Sequence, residues 1–300
     1  MGLWGFFKSV VTAPVKIVKK TAEVVKAVAN KAKEVAEAII KCIEETAELL
    51  AELVKPPGII IGRPEEAIAA AIRLHNIVPS NAYHFGFAGP AKAGKSSLLN
   101  SIRGLQNFED GAAKALNTEC TYNVTKYPWK EMENVILVDL PGCGTRQFPS
   151  ASYFINTGLG AFECIIILVE KTLRADETAL AKLSKSINQP VCFVRSKMDQ
   201  DLRDAVMNEG QYLEGQERSD ENIENAIRNQ ANARHLTKKI KDAFMEEKAK
   251  NGLSDIPVFC ISATATLLWL FKDPSKIKTV FEEKELLQFM KNQVVQNRSR

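Results

Sequence analysis

Apolar positions recur with two periods along this chain, and the switch between them divides it. Over residues 15–54 apolar or small residues return every seven positions, at Val18, Val25, Ala32, Ile39, Thr46 and Leu53. A second series follows three residues later, at Thr21, Val28, Val35, Cys42 and Leu49. Heptad spacing predicts one or two long helices, packed on their own domain or paired with another molecule. Pro56-Pro57-Gly58 ends the segment, and residues 65–77 read as a further helix with Pro64 at its first turn. After Pro79-Ser80-Asn81 short apolar runs alternate with helical stretches. Strands are predicted at 83–88, 120–127, 135–138, 164–169, 191–194 and 257–261. Helices are predicted at 96–103, 176–187, through most of 200–250, and at 267–271 and 281–295. This alternation predicts an α/β fold: a mostly parallel, doubly wound sheet covered on both faces. The expected organisation is an N-terminal helical segment, 1–78, an α/β domain, 79–265, and C-terminal helices, 266–300.

Composition narrows the class. With 45% hydrophobic and 25% charged residues, the 300-residue chain excludes disordered and collagen-like proteins. Its apolar runs are strand-sized, short of the roughly 18–20 residues of a spanning helix, so peripheral membrane attachment is the membrane role left. Six cysteines form no C-x-x-C pair, and Cys164, Cys192 and Cys260 lie in apolar runs as buried thiols would. The N-terminus lacks a secretory pattern, so a reducing, cytoplasmic address is expected.

The net charge of +4 is too small to argue for a nucleic-acid partner, but its distribution is informative. Residues 1–33 carry seven lysines against Glu23, and the rest of the chain is slightly acidic. Leu3, Trp4, Phe6 and Phe7 precede those lysines. Aromatics followed by lysines suit an anionic membrane surface, and they equally suit a groove of the same molecule. The glutamates of residues 34–52 follow the lysines, an order opposed to the helix macrodipole, which points to a charged partner.

The chemistry concentrates in four segments. Gly89-Pro90-Ala91-Lys92-Ala93-Gly94-Lys95-Ser96 fits G-x-x-x-x-G-K-[ST] between a predicted strand and helix. Backbone N–H groups of such a loop converge on phosphate at a helix N-terminus. Gly89, Lys92, Ala93, Gly94, Lys95, Ser96 and Ser97 are the candidate phosphate contacts. Lys95 would neutralise phosphate oxygens and Ser96 would ligate Mg²⁺. The apolar run 135–138 ends in Asp139, a carboxylate placed to hold Mg²⁺ through water, and Gly142 would bring a backbone N–H to the γ-phosphate. Ser196-Lys197-Met198-Asp199 follows the next buried strand: Asp199 would accept from guanine N1–H and the 2-amino group, and the Lys197 stem would lie along the base. Ser replaces the usual Asn or Thr, and its shorter hydroxyl can still tie neighbouring loops together. Ser262-Ala263 would meet guanine O6 through a backbone N–H. A threonine completes the magnesium shell, with Thr118 and Thr121 as candidates.

These elements in order indicate a P-loop GTPase. Leu140-Pro141-Gly142-Cys143-Gly144-Thr145, then Phe148-Pro149 and Tyr153, resembles the L-P-G-x-G-T-x-x-F-P-x-x-x-Y stretch of the immunity-related (interferon-inducible) GTPases. Phe193-Val194-Arg195-Ser196-Lys197-Met198-Asp199-Gln200-Asp201 is similar to that family's F-V-R-T-K-x-D-x-D, and Glu119-Cys120-Thr121 to its E-x-T segment, which selects Thr121. The resemblance covers residues 83–201 well. It implies GTP hydrolysis to GDP with Mg²⁺, helices from both termini in a helical domain, and nucleotide-dependent self-association on intracellular membranes in cell-autonomous defence. Three features depart from the pattern: a short C-terminal region, Phe6 where a myristoylation signal needs Ser or Thr, and Ser196 itself. No Gln follows Gly142 to orient water; Lys95, Thr121 and Gly142 are the catalytic candidates, with Arg146 and Lys92 as candidate charge stabilisers. Two other readings are a nucleotide-binding regulator without turnover and a membrane or coiled-coil scaffold with a vestigial GTPase domain.

Overall fold

The computed structural model describes residues 57, 59–60, 62–114, 124–130, 132–141, 153, 156–209, 230–271 and 281–299. The heptad segment, the basic N-terminus, Thr118, Thr121, Gly142, Cys143 and Arg146 lie outside the described residues.

In chain order the elements are β1 (Ile59–Ile60), α1 (Glu65–His75), β2 (Tyr83–Ala88), α2 (Lys95–Ile102), β3 (Thr125–Pro128), β4 (Val135–Asp139), a 3-10 turn (Leu159–Ala161), β5 (Cys164–Val169), α3 (Ala175–Ser186), β6 (Val191–Arg195), α4 (Met198–Glu209), α5 (Gln230–Lys250), β7 (Val258–Cys260), α6 (Ala263–Phe271), α7 (Glu283–Asn297) and β8 (Arg298–Ser299). The main sheet has the order β3-β4-β2-β5-β6-β7. All of its pairings are parallel except β3 with β4. Pro128, which cannot donate to a ladder, closes the edge strand β3. The connections after β2 and after β4 leave to opposite sides of β2, so the ends of β2 and β5 flank a topological switch point.

Alternation along the strands explains why both faces are covered. Cys164, Ile166 and Leu168 of β5 join Phe85, Phe87, Leu98, Leu99, Leu286, Leu287 and Met290 on one face. Ile165, Ile167 and Val169 face the other way, with Leu180, Phe193, Phe244 and Leu253. Side chains one residue apart thus feed two cores. Helices α2 and α7 cover the first face, and α3 and α5 the second. Leu286, Leu287, Met290 and Val294 place α7, part of the segment set apart as C-terminal in the sequence analysis, within the core of the main sheet.

Among the described residues the predicted elements coincide with the observed ones to within a few residues, and the differences have local causes. Helix α1 stops at His75 because Asn76 takes a left-handed conformation (φ 50°) and its N–H caps the Ala71 and Ile72 carbonyls. Helix α6 begins at Ala263, four residues before the expected start, since Ser262 caps it with Oγ accepting the Ala265 N–H at 3.4 Å. The predicted strand at 120–127 is β3 only from Thr125; residues 120–123 are outside the described set.

Strand β8 pairs antiparallel with β1, Ile60 opposite Arg298. Beneath it lies a buried ionic cluster. Glu163 and Arg298, both essentially inaccessible, form an ion pair. Asn297 Nδ2 donates to the Glu163 carbonyl at 2.8 Å and Arg298 Nη1 to the Pro79 carbonyl at 2.9 Å. Burial pushes the Glu163 carboxyl up, and Arg298 and Arg63 pull it back toward the ionised form.

Candidate nucleotide-binding site

The glycine-rich loop runs from the C-terminal end of β2 into α2, and two of its glycines are dictated by geometry. Gly89 has φ +136°, and a Cβ there would stand 2.4 Å from the Leu168 carbonyl oxygen, so only hydrogen fits against β5. Gly94 has φ +88° and is the N-cap of α2. Lys92 is exposed and also left-handed, at φ 66°. The first N–H groups of α2, which have no partner within the helix, follow directly on this loop, an arrangement suited to an anion.

Lys95, the first residue of α2, is buried at 9% exposure. Its Nζ donates to the Gly89 carbonyl at 2.9 Å and the Pro90 carbonyl at 3.2 Å. An ammonium has three N–H donors, so a third can reach a ligand held in the loop. Burial lowers its pKa and the nearby Asp139 carboxylate raises it. Asp139 ends β4 and is buried at 3% exposure. Ser96 and Ser97 are half-buried in the first turn of α2. The Ser96 hydroxyl and Asp139 carboxylate are hard oxygen donors at the strand–helix junction, a set that fits Mg²⁺.

The neighbouring loop, after β6, is bonded to the first. Ser196 Oγ donates to the Ala93 carbonyl at 2.5 Å. Lys197 is left-handed (φ 61°), its stem passes Gly94, and its Nζ is 3.7 Å from Glu170 at the end of β5. Asp199 is exposed in the first turn of α4. Arg195 fixes that turn: its Nε and Nη2 both donate to Asp201 Oδ2, at 3.0 and 2.6 Å, and it also reaches the Lys171 carbonyl.

The third loop follows β7. The Met198 N–H donates to the Ile261 carbonyl at 3.1 Å, which ties it to the Asp199 turn. The Ser262 N–H donates to Glu283 at 3.1 Å, so of the predicted Ser262–Ala263 pair the Ala263 N–H is the one left for a base. As the first residue of α6, Ala263 needs no partner within its helix.

The fold thus brings Gly89, Lys92, Ala93, Gly94, Lys95, Ser96, Ser97 and Asp139 to one end of the sheet, with Lys197, Asp199, Ser262 and Ala263 on adjoining loops. Thr121 and Gly142 lie outside the described residues. Arg195 and Asp201 stand in the stretch similar to F-V-R-T-K-x-D-x-D but carry no role in the sequence reading, and Glu170 and Glu283 are not singled out there. The Arg195–Asp201 spacing placed one at a strand end and the other in a helix first turn, which was a usable signal. Glu283 looked like an ordinary acidic residue opening a helix.

A model of the interferon-inducible GTPase (IIGP) family matches residues 74–298. Among curated proteins, mouse T-cell-specific guanine nucleotide triphosphate-binding protein 2 is 31% identical over 138 residues, 46% of this chain and 33% of that one. Mouse interferon-inducible GTPase 1 is 30% identical over 125 residues, 42% and 30% of the two chains. Rat interferon-inducible GTPase 5 is 29% identical over 181 residues, 59% and 34%. The matched stretch spans about a third of the length of these relatives. Among solved structures, an Aquifex aeolicus Era variant bound to GDP·AlF₄⁻ aligns over 71% of this chain and 56% of its own, with 15% identity and a TM-score of 0.38. With the family model covering residues 74–298 of 300, the chain belongs to the interferon-inducible GTPase family.

Proposed function

We propose that this chain binds guanine nucleotide in the cradle formed by residues 89–97 and hydrolyses GTP to GDP and phosphate. The observation that carries the reading is the Ser196–Ala93 bond, which joins a phosphate-type loop to a loop bearing Lys197 and Asp199. Two half-sites bonded to each other are what recognition of one ligand with a phosphate tail and a base requires.

In this reading Lys95 supplies positive charge to the β- and γ-phosphates, and the first N–H groups of α2 hold the same oxygens. Asp199 accepts from guanine N1–H and the 2-amino group, and the Ala263 N–H donates to O6. Ser96 and Thr121 would ligate Mg²⁺ and Asp139 would hold it through water; when bound, the ion would neutralise charge on the transferred phosphoryl group. Gly142 would bring a backbone N–H to the γ-phosphate, as its place after the strand ending in Asp139 suggests. With no Gln after Gly142, the attacking water depends on backbone groups or on a second copy of the chain, so turnover per molecule rises with protein concentration.

Membrane attachment through residues 1–33 is part of the same reading. It rests on Trp4, Phe6 and Phe7 beside seven lysines, and it gives a cytoplasmic protein peripheral on anionic membranes. Among the described residues no helix is long and apolar enough to cross a membrane.

The test is calorimetric titration with GTP, GDP and ATP, followed by phosphate release at rising protein concentration. Guanine nucleotides are expected to bind and ATP is not. Lys95→Ala is expected to abolish binding, and Asp199→Asn to weaken guanine preference. Equal binding of GTP and ATP would refute the assignment of Asp199.

A further inference from the structure

The Ser262–Ala263 turn is held from beneath by a carboxylate. Glu283, in the first turn of α7, is 4% exposed. Its Oε1 accepts the Ser262 N–H at 3.1 Å and its Oε2 the Phe281 N–H at 3.0 Å. The residue before it docks on the last strand. The Glu282 N–H donates to the Cys260 carbonyl at 2.9 Å, and the Cys260 N–H donates to Glu282 Oε2 at 2.8 Å. Lys241 of α5 reaches Glu282 Oε1 at 2.5 Å. The start of α7 therefore clamps both β7 and the turn after it.

We propose that Glu283 is a positioning residue for guanine recognition: by accepting the Ser262 amide it aims the Ala263 N–H at the O6 of the base. The proposal rests on the guanine-nucleotide reading above. Two N–H donors converge on the two carboxyl oxygens, and a carboxylate accepts both. A glutamine would present its NH₂ to one of them. Packing alone does not call for this group, because a buried carboxylate costs stability that an apolar side chain of like volume would not. Backbone amides rather than a cation hold it: burial pushes its carboxyl up to about 7, the Ser262, Glu283 and Phe281 amides pull it down, and Glu285 of the same helix pushes it up. On the packed elements, Lys241 and Cys260 face Glu282, and α6 carries no titratable side chain.

The test compares binding of GDP, 6-thio-GDP (sulfur for O6) and IDP (no 2-amino group) to the full chain with Mg²⁺. The wild type is expected to favour GDP over 6-thio-GDP by about tenfold, the worth of one good hydrogen bond. Glu283→Gln should narrow that ratio to about twofold while the GDP-to-IDP ratio, read by Asp199, stays. The wild type alone provides a second arm: the 6-thio ratio should shrink between about pH 8 and about pH 6, as the carboxyl takes up a proton. A 6-thio ratio unchanged in both arms would overturn the proposal. So would both ratios collapsing together, or a wild-type 6-thio ratio near one. A wild-type chain that binds no guanine nucleotide would overturn the underlying reading and this proposal with it.

Discussion

The Ser196 hydroxyl donates to the Ala93 carbonyl across 103 residues of sequence, and both residues are buried. Ser196→Ala leaves that carbonyl buried without its donor, a cost of about 1–3 kcal/mol. The expected result is a lower melting temperature and weaker guanine-nucleotide binding together. Ser196→Thr, which keeps the hydroxyl, should restore most of both. Unchanged binding in Ser196→Ala would dissociate the two loops.

Gly89→Ala places a methyl carbon 2.4 Å from the Leu168 carbonyl oxygen at a positive φ. Backbone on both sides must shift, so a loss of at least about 2 kcal/mol is expected in denaturant unfolding. Gly111→Ala serves as the comparison: its φ is also positive (+78°), but a Cβ there has open space. It should cost about 1 kcal/mol.

The buried pair of Glu163 and Arg298 makes an asymmetric prediction. Arg298→Met alone strands a carboxylate at a site with no exposure and should destabilise the fold by about 3–5 kcal/mol. Replacing both, Glu163→Leu with Arg298→Met, should recover much of that loss in urea melts. Additive losses would mean that the pair has no coupling.

Two buried groups act in opposite senses across the acid range. Burial holds His84 down, at about 4 against an ordinary 6.5, with Arg298 and Lys126 adding to the effect. The unfolded chain therefore binds the extra proton between these values. Stability from neutral His84 is present above 6.5 and is lost as pH falls through 4. Glu283 is raised from 4.5 to about 7, so its contribution is present below 4.5 and is lost as pH rises through 7. Urea midpoints across this range should show less acid loss in His84→Leu. In Glu283→Gln they should show less decline toward alkaline pH. A wild-type profile reproduced by either variant would contradict the assignment to that residue.

Much of the sheet was legible because its strands are buried on both faces and read as unbroken apolar runs, as Ile165-Ile166-Ile167 does. The glycine-rich loop was legible because its chemistry leaves few substitutes for Gly89, Gly94 and Lys95. What escaped was non-local. Nothing near Ile59-Ile60 announces pairing with Arg298, and two-residue strands carry no period. Glu163 and Glu283, taken singly, are common surface types. Their roles depend on which charged groups the fold buries, and local pattern does not encode that.

The β1–β8 pair has a bearing on how this unit is wired into anything larger. Ile59 and Ser299 are register partners, so chain entering before β1 and chain leaving after β8 pass through one doorway. The Arg298 and Asn297 bonds to Pro79 and Glu163 put that doorway ahead of β2 and β5, whereas the phosphate-type loop begins where β2 ends. A tether or a fused domain attached next to β1 or β8 would therefore load the end of the sheet opposite the phosphate-type loop.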